Sequence, residues 1–405
     1  MAEPPVRRNT ILLSASLAAN SAMLQLSAAV ATLTVVLVVG VRSLVGLGPA
    51  IVLGTGALSA LPAGRAMDRF GRVPILVTGF AFGIAGGILA AVGAAFDSAV
   101  SVLVGLVFVG AASATALLAR AAAGDMYPPS RRARGISFVL FGAVFGAILG
   151  PTVFSPLLAG KDLDADALVL PWLAASAFMV FGLVLVASVR PDPSKIAKML
   201  AGPERAEEPA EKPAEFAIIL RRPGVLPSMV AAMASFSTMV AIMTLTGVVV
   251  VDRGHPADVV FPIIGAHVVG MYALVIVVGD LIDRIGRTRA LVGGLALMAA
   301  SAISLIWFTS VATIAFTLFA LGLGWSFSFV AATAQLADAT SAVERGKLLG
   351  LNDLLAGLTG ASLALLGGIA LDVLGVTAMA LGATAIAVAP AIFLARLRPA
   401  PQTAA

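Results

Sequence analysis

A chain of 405 residues that is 60% hydrophobic and 12% charged, with a mean hydropathy of +1.05, carries far more apolar surface than one soluble core can bury, so its solvent is the lipid bilayer. The absence of cysteine excludes disulfides, thiolate metal sites and a cysteine nucleophile. The formal charge of +5 and the pI of about 10.1 do not point to nucleic acid, because the basic residues sit in short stretches between apolar runs.

The N-terminal stretch holds Arg7 and Arg8 and passes into an apolar run beyond Leu33 without a small-residue cleavage site. It reads as a first membrane span and not as a removed signal peptide. A bilayer core requires about 20 helical residues. Twelve runs of that kind follow one another: 11–35, 46–67, 74–95, 99–122, 134–158, 171–189, 224–250, 258–281, 289–308, 311–336, 347–370 and 376–396. Lys and Arg divide 22 to 3 between alternate sides, with Arg42, Lys161 and Arg253 on the poor side and Arg120 inside the fourth run. The cytoplasmic side retains basic residues, so both termini are expected there, in the plasma (inner) membrane.

Between the sixth and seventh runs, residues 190–222 carry seven basic and six acidic side chains and prolines at 191, 193, 203, 209 and 213. This stretch reads as a polar, partly disordered linker that divides the chain into residues 1–189 and 223–405. The division prompts a search for a repeat. GRAMDRFGR at 64–72 matches GDLIDRIGR at 279–287 in five of nine positions, each between the second and third runs of its half. The stretch around Asp125 is echoed, more loosely, around Asp338.

With both copies of G-x-x-x-D-R-x-G-R in phase, the chain resembles the Major Facilitator Superfamily over essentially its whole length. Gly64, Asp68, Arg69, Gly71 and Arg72 fill the family's signature loop once, and Gly279, Asp283, Arg284, Gly286 and Arg287 fill it again. The resemblance implies an all-α membrane protein of twelve transmembrane helices in two pseudo-symmetric six-helix bundles. It also implies that Asp68 holds the start of the eleventh span when the cytoplasmic side is closed, with Arg72 and Asp125 completing a charge network. Physical chemistry supplies the reasons: glycine permits the tight turn and close helix approach, and a carboxylate accepts from the open N–H groups of a helix start. The bland alternative is that these charges only set topology.

In the fifth run Gly142, Gly146 and Gly150 recur four apart, with Pro151 following, which resembles the antiporter motif of proton-coupled drug exporters in that family. Phe154 and Ser155 stand where that motif continues with glycines, and small residues at this spacing serve close helix packing equally well. The arginine expected near the middle of the fourth span of such exporters is absent around Leu106; Arg120 lies nearer the cytoplasmic end.

Ionisable residues inside spans are costly, about 2.5 to 3.5 kcal/mol at a helix centre on insertion scales. Three stand out as proton-coupling candidates: Arg120, His267 and Asp353. For His267 a proton relay and a plain hydrogen bond to a neighbouring helix both remain open. By resemblance, spans 1, 4, 7 and 10 line a central cavity. Polar residues of span 1 (Ser14, Ser16, Asn20, Ser21, Gln25, Ser27) and residues of spans 7 and 10 (Met229, Met233, Ser235, Ser237, Met239, Met243, Trp325) become candidates there, with Asn20, Gln25, Met233, Ser237, Met243 and Trp325 taken forward as the substrate-contacting set. Methionine suits a permissive pocket and also ordinary packing.

The reading is a secondary active transporter, not an enzyme, which exports small amphipathic or hydrophobic molecules in exchange for protons. It needs no cofactor or metal, meets a small-molecule substrate, protons and lipid, binds no nucleic acid and acts as a monomer. The alternatives are a metabolite or lipid-precursor carrier or uniporter of the same fold, and a membrane sensor or scaffold that does not transport.

Overall fold

The computed structural model describes residues 5–39, 47–158, 165–200, 214–255 and 259–396. Among them the regular structure is helical. In the first half the helices are α1 (Val6–Val39), α2 (Leu47–Phe70), α3 (Arg72–Ala95), α4 (Ala99–Leu117), α5 (Ala119–Met126), α6 (Arg132–Leu158) and α7 (Val169–Ala187). Two short helices, α8 (Pro193–Leu200) and α9 (Phe216–Leu220), occupy described parts of the expected linker. The second half holds α10 (Val225–Asp252), α11 (Val260–Tyr272), α12 (Val275–Ile285), α13 (Arg287–Ser304), α14 (Val311–Asp338) and α15 (Arg345–Arg396).

All twelve expected runs are helical over most of their described residues. Seven of the described helices are long and apolar enough to cross a membrane, and an eighth is obtained if the pair Ile263–Tyr272 and Val275–Ile285, bent by 44°, is one span. The stops follow the glycines. Gly71 (φ 96°) and Gly286 (φ 92°) separate α2 from α3 and α12 from α13, and Gly375 (φ 79°) interrupts α15 between the eleventh and twelfth runs. A side chain is strained at such φ, so glycine ends the helix at little cost. Two breaks carry no glycine: the fourth run stops at Leu118 and restarts as α5, and the eighth breaks at Ala273–Leu274. The expected disorder of the linker falls mainly on residues 201–213, which lie outside the described residues, as do Arg42 and Lys161. The described flanks of the linker are ordered helices, because Ile196 and Ile219 are each fully buried.

The chain forms two compact units. Unit 1 comprises Met1–Met126, Phe138–Glu211 and Ala342–Leu354; unit 2 comprises Tyr127–Ser137, Lys212–Ser341 and Leu355–Ala405. Each therefore takes one short segment from the other half of the sequence. In unit 1, α3 packs on α4 and α7, and α2 on α4. Trp172 is buried there and donates its indole N–H to Thr34 Oγ1 at 2.9 Å. In unit 2, α14 is the hub, packed against α10, α11 and α13.

Candidate functional site

The first signature loop turns at Gly71, and its charged residues converge on the segment that unit 1 takes from residues 342–354. The Asp68 carboxylate accepts from the N–H groups of Gly346 (2.9 Å) and Lys347 (2.5 Å), both in the opening turn of α15. The first N–H groups of a helix have no partner within it, and its dipole favours an anion there. Gly64 allows the approach: a Cβ at that position would run into the carbonyl oxygen of Gly346. Arg72, fully buried, donates to Asp68 (2.7 Å), to Asp125 (2.6 Å) and to the carbonyl oxygen of Ala342 (2.5 Å). Arg345 closes the network on the other oxygen of Asp125. Two guanidinium and two carboxylate groups thus neutralise one another out of water, a costly arrangement unless its hydrogen bonds are also satisfied, as these are.

Unit 2 repeats this network contact for contact. Asp283 accepts from the N–H groups of Ala133 (3.3 Å) and Arg134 (3.0 Å) in the opening turn of α6. Arg287 pairs with Asp283, lies 3.3 Å from Asp338 and donates to the carbonyl oxygen of Pro129 at 2.6 Å. Arg132 pairs with Asp338. A Cβ on Gly279 would meet Ser137 Oγ and Ala133 O, the counterpart of the Gly64 crossing. The two networks differ in burial: the side chains of Arg72 and Asp125 are 0% exposed, whereas Arg287 and Asp338 are 15% and 29% exposed.

Sequence reasoning named Asp68, Arg72, Asp125, Asp283 and Arg287, noted Asp338 only as the centre of a loose echo of Asp125, and missed the partners Arg345 and Arg132. The signal was present: an arginine stands seven residues after each of Asp125 and Asp338, and each acid pairs with the arginine that follows the other one. Arg69 and Arg284 stay outside the networks. Arg69 lies over the ring of Phe70 at 5.1 Å, and the 78% exposed Arg284 stands 3.8 Å from Asp280.

Asp192 was also missed. Its Oδ2 accepts the Val73 N–H at 2.9 Å, at the start of α3, and its Oδ1 accepts the Ser194 N–H (2.9 Å) and hydroxyl (2.7 Å). Burial pushes this carboxyl up, but the hydrogen bonds from Val73, Ser194 and Arg72 outweigh it and hold Asp192 below the usual carboxylate range. A depressed folded-state pKa contributes stability that is complete above the ordinary carboxylate pKa and is lost only as pH falls through the lower, folded value.

Arg120 and Asp353 form a second ion pair in unit 1, joining α5 to the first turns of α15. Arg120 is fully buried and Asp353 is 14% exposed. Asn352 Nδ2 donates to the same Asp353 oxygen at 3.2 Å, while Asp353 Oδ2 is buried with no hydrogen-bond partner among the described residues. This pair has no repeat counterpart: the matching positions of the sequence repeat are Thr333 and Leu140.

His267 is buried in unit 2, where Nδ1 lies 2.9 Å from the carbonyl oxygen of Leu318 and Nε2 has no partner among the described residues. Of the polar residues of span 1, Ser14 and Ser21 donate to the backbone oxygens of Phe138 and Ala143 on α6 (both 2.9 Å), and Ser16 and Ser27 to their own helix. They fasten helices. Asn20 Oδ1 alone of this set is buried without a partner among the described residues, and Gln25 is half-buried. Gly142 and Gly146 press against the Ser14 and Ala18 carbonyls of α1, the close-packing role. Gly150 and Pro151 lie on α6, and their surroundings fall outside the described residues. In unit 2, Ser237 Oγ is 3.3 Å from Thr359 Oγ1; Met233 and Met243 are half-buried and Met229 and Met239 buried. Trp325 stacks on Phe329 (centroids 4.5 Å apart, 14° between planes) and meets the edge of Tyr272.

Apolar helices in a duplicated arrangement, each copy locking a helix start under a carboxylate on a charged loop, define a polytopic transporter of two related halves. The chain belongs to the Major Facilitator Superfamily, whose family model matches residues 10–279 and 263–405. It is 32% identical over 371 residues to the uncharacterised MFS-type transporter YdeG of Bacillus subtilis, covering 88% of this chain and 84% of that one. It is also 32% identical over 305 residues to the riboflavin transporter RfnT of Brucella anthropi, covering 73% and 72%. Among solved structures, the human organic anion transporter MFSD10 superposes with a TM-score of 0.76 at 15% identity, over 97% of this chain and all of that one. The proton:xylose symporter XylE gives 0.76 at 16%, over 97% and 96%. At these identities the superpositions speak for the fold alone. The protein is an integral membrane transporter and not an enzyme.

Proposed function

We propose that the protein is a secondary active transporter working by alternating access, which exports small amphipathic or hydrophobic molecules in exchange for protons. The observation that carries this reading is the Arg120–Asp353 pair: a carboxylate inside an apolar helix, one oxygen held by a buried arginine and the other without a partner among the described residues. That second oxygen is where a proton binds. Arg120 then changes from an ion-pair partner to a donor toward a neutral acid, which alters the energy of one conformational state against another. The glycine run at 142, 146 and 150 adds to the antiport assignment through its likeness to exporter sequences. Asp68, Arg72 and Asp125 serve as the cytoplasmic gate, with Asp283 and Arg287 as its weaker repeat. His267 is kept as a second proton site, and Asn20, Gln25, Met233, Ser237, Met243 and Trp325 as substrate-contacting residues. The relation to RfnT favours a second reading, transport of riboflavin or a compound of similar chemistry.

The test is uphill transport in proteoliposomes. Collapsing the proton gradient with an ionophore is expected to abolish accumulation; undiminished accumulation moves the assignment to a uniporter or to another coupling ion.

The functional unit is a monomer in the plasma (inner) membrane. Residues 1–189 and 223–405 form its two halves, and both termini and the 190–222 linker face the cytoplasm, because the basic residues divide 22 to 3. The chain has no cysteine, so one introduced at Ala206 reports orientation cleanly. An impermeant reagent is expected to label it only after permeabilisation, and labelling in intact cells reverses the topology.

A further inference from the structure

The start of α3 has a carboxylate of its own. Asp68 caps α15 and Asp283 caps α6, and Asp192 covers the opening turn of α3 through the Val73 N–H while Ser194 holds its other oxygen. Arg72 is the first residue of that helix and must reach Asp68, Asp125 and the Ala342 carbonyl at once. Three partners on three segments fix its aim narrowly, so the position of the first turn of α3 decides whether the network closes. Gly71 leaves room for the arrangement: a Cβ there would stand 3.0 Å from Asp192 Oδ2.

Asp192 is itself braced. Arg8 donates to the carbonyl oxygen of Arg190 (2.6 Å) and Asn9 Nδ2 to that of Pro191 (3.3 Å), which ties the residues just before it to the first turn of α1. On its other side α8 begins at Pro193, buries Ile196 and packs against α5, the helix that carries Arg120 and Asp125. The same short segment therefore touches the helix bearing Arg72 and the helix bearing its partner Asp125.

We infer that Asp192 is a positioning residue of the cytoplasmic gate, which sets the start of α3 so that Arg72 closes on Asp68 and Asp125, and that it makes the entry to the 190–222 linker a working part of that gate. This rests on the gate reading of the Asp68 network and extends it to a segment that the signature motif does not contain.

The test uses the full-length protein with a single cysteine at Ala60, a residue 1% exposed whose carbonyl oxygen lies against Gly350 on the capped helix. Maleimide labelling of this cysteine reads how often α2 and the start of α15 part. Asp192→Ala is expected to raise the labelling rate about fivefold, the size of a lost helix cap, and Asp192→Asn, which keeps an acceptor oxygen, to restore a rate near the parent's. Ser194→Ala, a milder change, is expected to raise it about twofold. Thr34→Val removes the Trp172 hydrogen bond near the opposite end of α1 and serves as a destabilised control with unchanged labelling. Asp68→Asn is the positive control. If Asp68→Asn raises labelling while Asp192→Ala and Ser194→Ala do not, the role assigned to Asp192 is wrong and the gate stands. If Asp192→Ala and Thr34→Val raise it alike, the effect is general loosening and the assignment again fails. If no variant raises it, the gate reading falls together with the inference.

Discussion

Asp68→Asn is expected to slow transport roughly thirtyfold, the equivalent of about 2 kcal/mol for hydrogen bonds to a buried charged group, while Asp283→Asn costs only a few-fold. The asymmetry comes from solvent, because both networks make the same set of contacts. In unit 1 the arginine that would be left short of a partner, Arg72, is fully buried, and Asp68 is 8% exposed. In unit 2 the corresponding Arg287 is 15% exposed and its other partner Asp338 is 29% exposed, so water screens the pair and can replace the lost oxygen. Asparagine keeps one acceptor for the N–H groups of Gly346 and Lys347, so the protein should still fold and insert. The measurement is initial transport rate in proteoliposomes, normalised to inserted protein. Equal rates in the two variants would leave the loops a role in topology alone.

The fold was legible because its signals are one-dimensional. Twelve apolar runs, alternating basic loops and two copies of a nine-residue motif all survive in a linear reading, since each depends on neighbours in sequence. Asp68, Arg72 and Asp125 came out the same way, through the motif and its resemblance. What escaped depends on long-range pairing. Arg345 and Arg132 entered the linear reading only in the count of basic residues, because the acid each one meets is more than 200 residues away. Recognising them required the thought that the repeat exchanges partners between halves. Asp192 escaped for a different reason: it sits in a proline-rich, charge-dense stretch whose composition reads as linker, and the contact that sets it apart is with the distant Val73 N–H. The serines of span 1 show a further use of polarity on an apolar helix: Ser14 and Ser21 give their hydroxyls to the backbone of α6, a partner that no linear pattern names.

Asp353→Asn is expected to abolish proton-driven accumulation of substrate while leaving downhill exchange intact. The Arg120–Asp353 pair breaks the internal symmetry: every contact of the signature networks recurs in both units, but Thr333 and Leu140 occupy the matching positions here. A feature demanded by the shared architecture would be duplicated; one added for coupling need not be. Coupling on this reading requires a second conformation in which Arg120 finds another acceptor or water, so that the pair opens as access changes. Asparagine keeps the shape and an acceptor for Arg120 but cannot titrate. Because removing one partner of a buried pair destabilises by about 3 to 5 kcal/mol, the single variant alone would confuse lost coupling with lost structure. The double variant Arg120→Gln with Asp353→Asn separates them: it removes both charges, is expected to recover thermal stability toward the parent, and is still expected to fail at uphill transport. If either variant accumulates substrate from a proton gradient at the parental rate, Asp353 is a structural fastening for the start of α15 and the proton is carried elsewhere, with His267 the next residue to test.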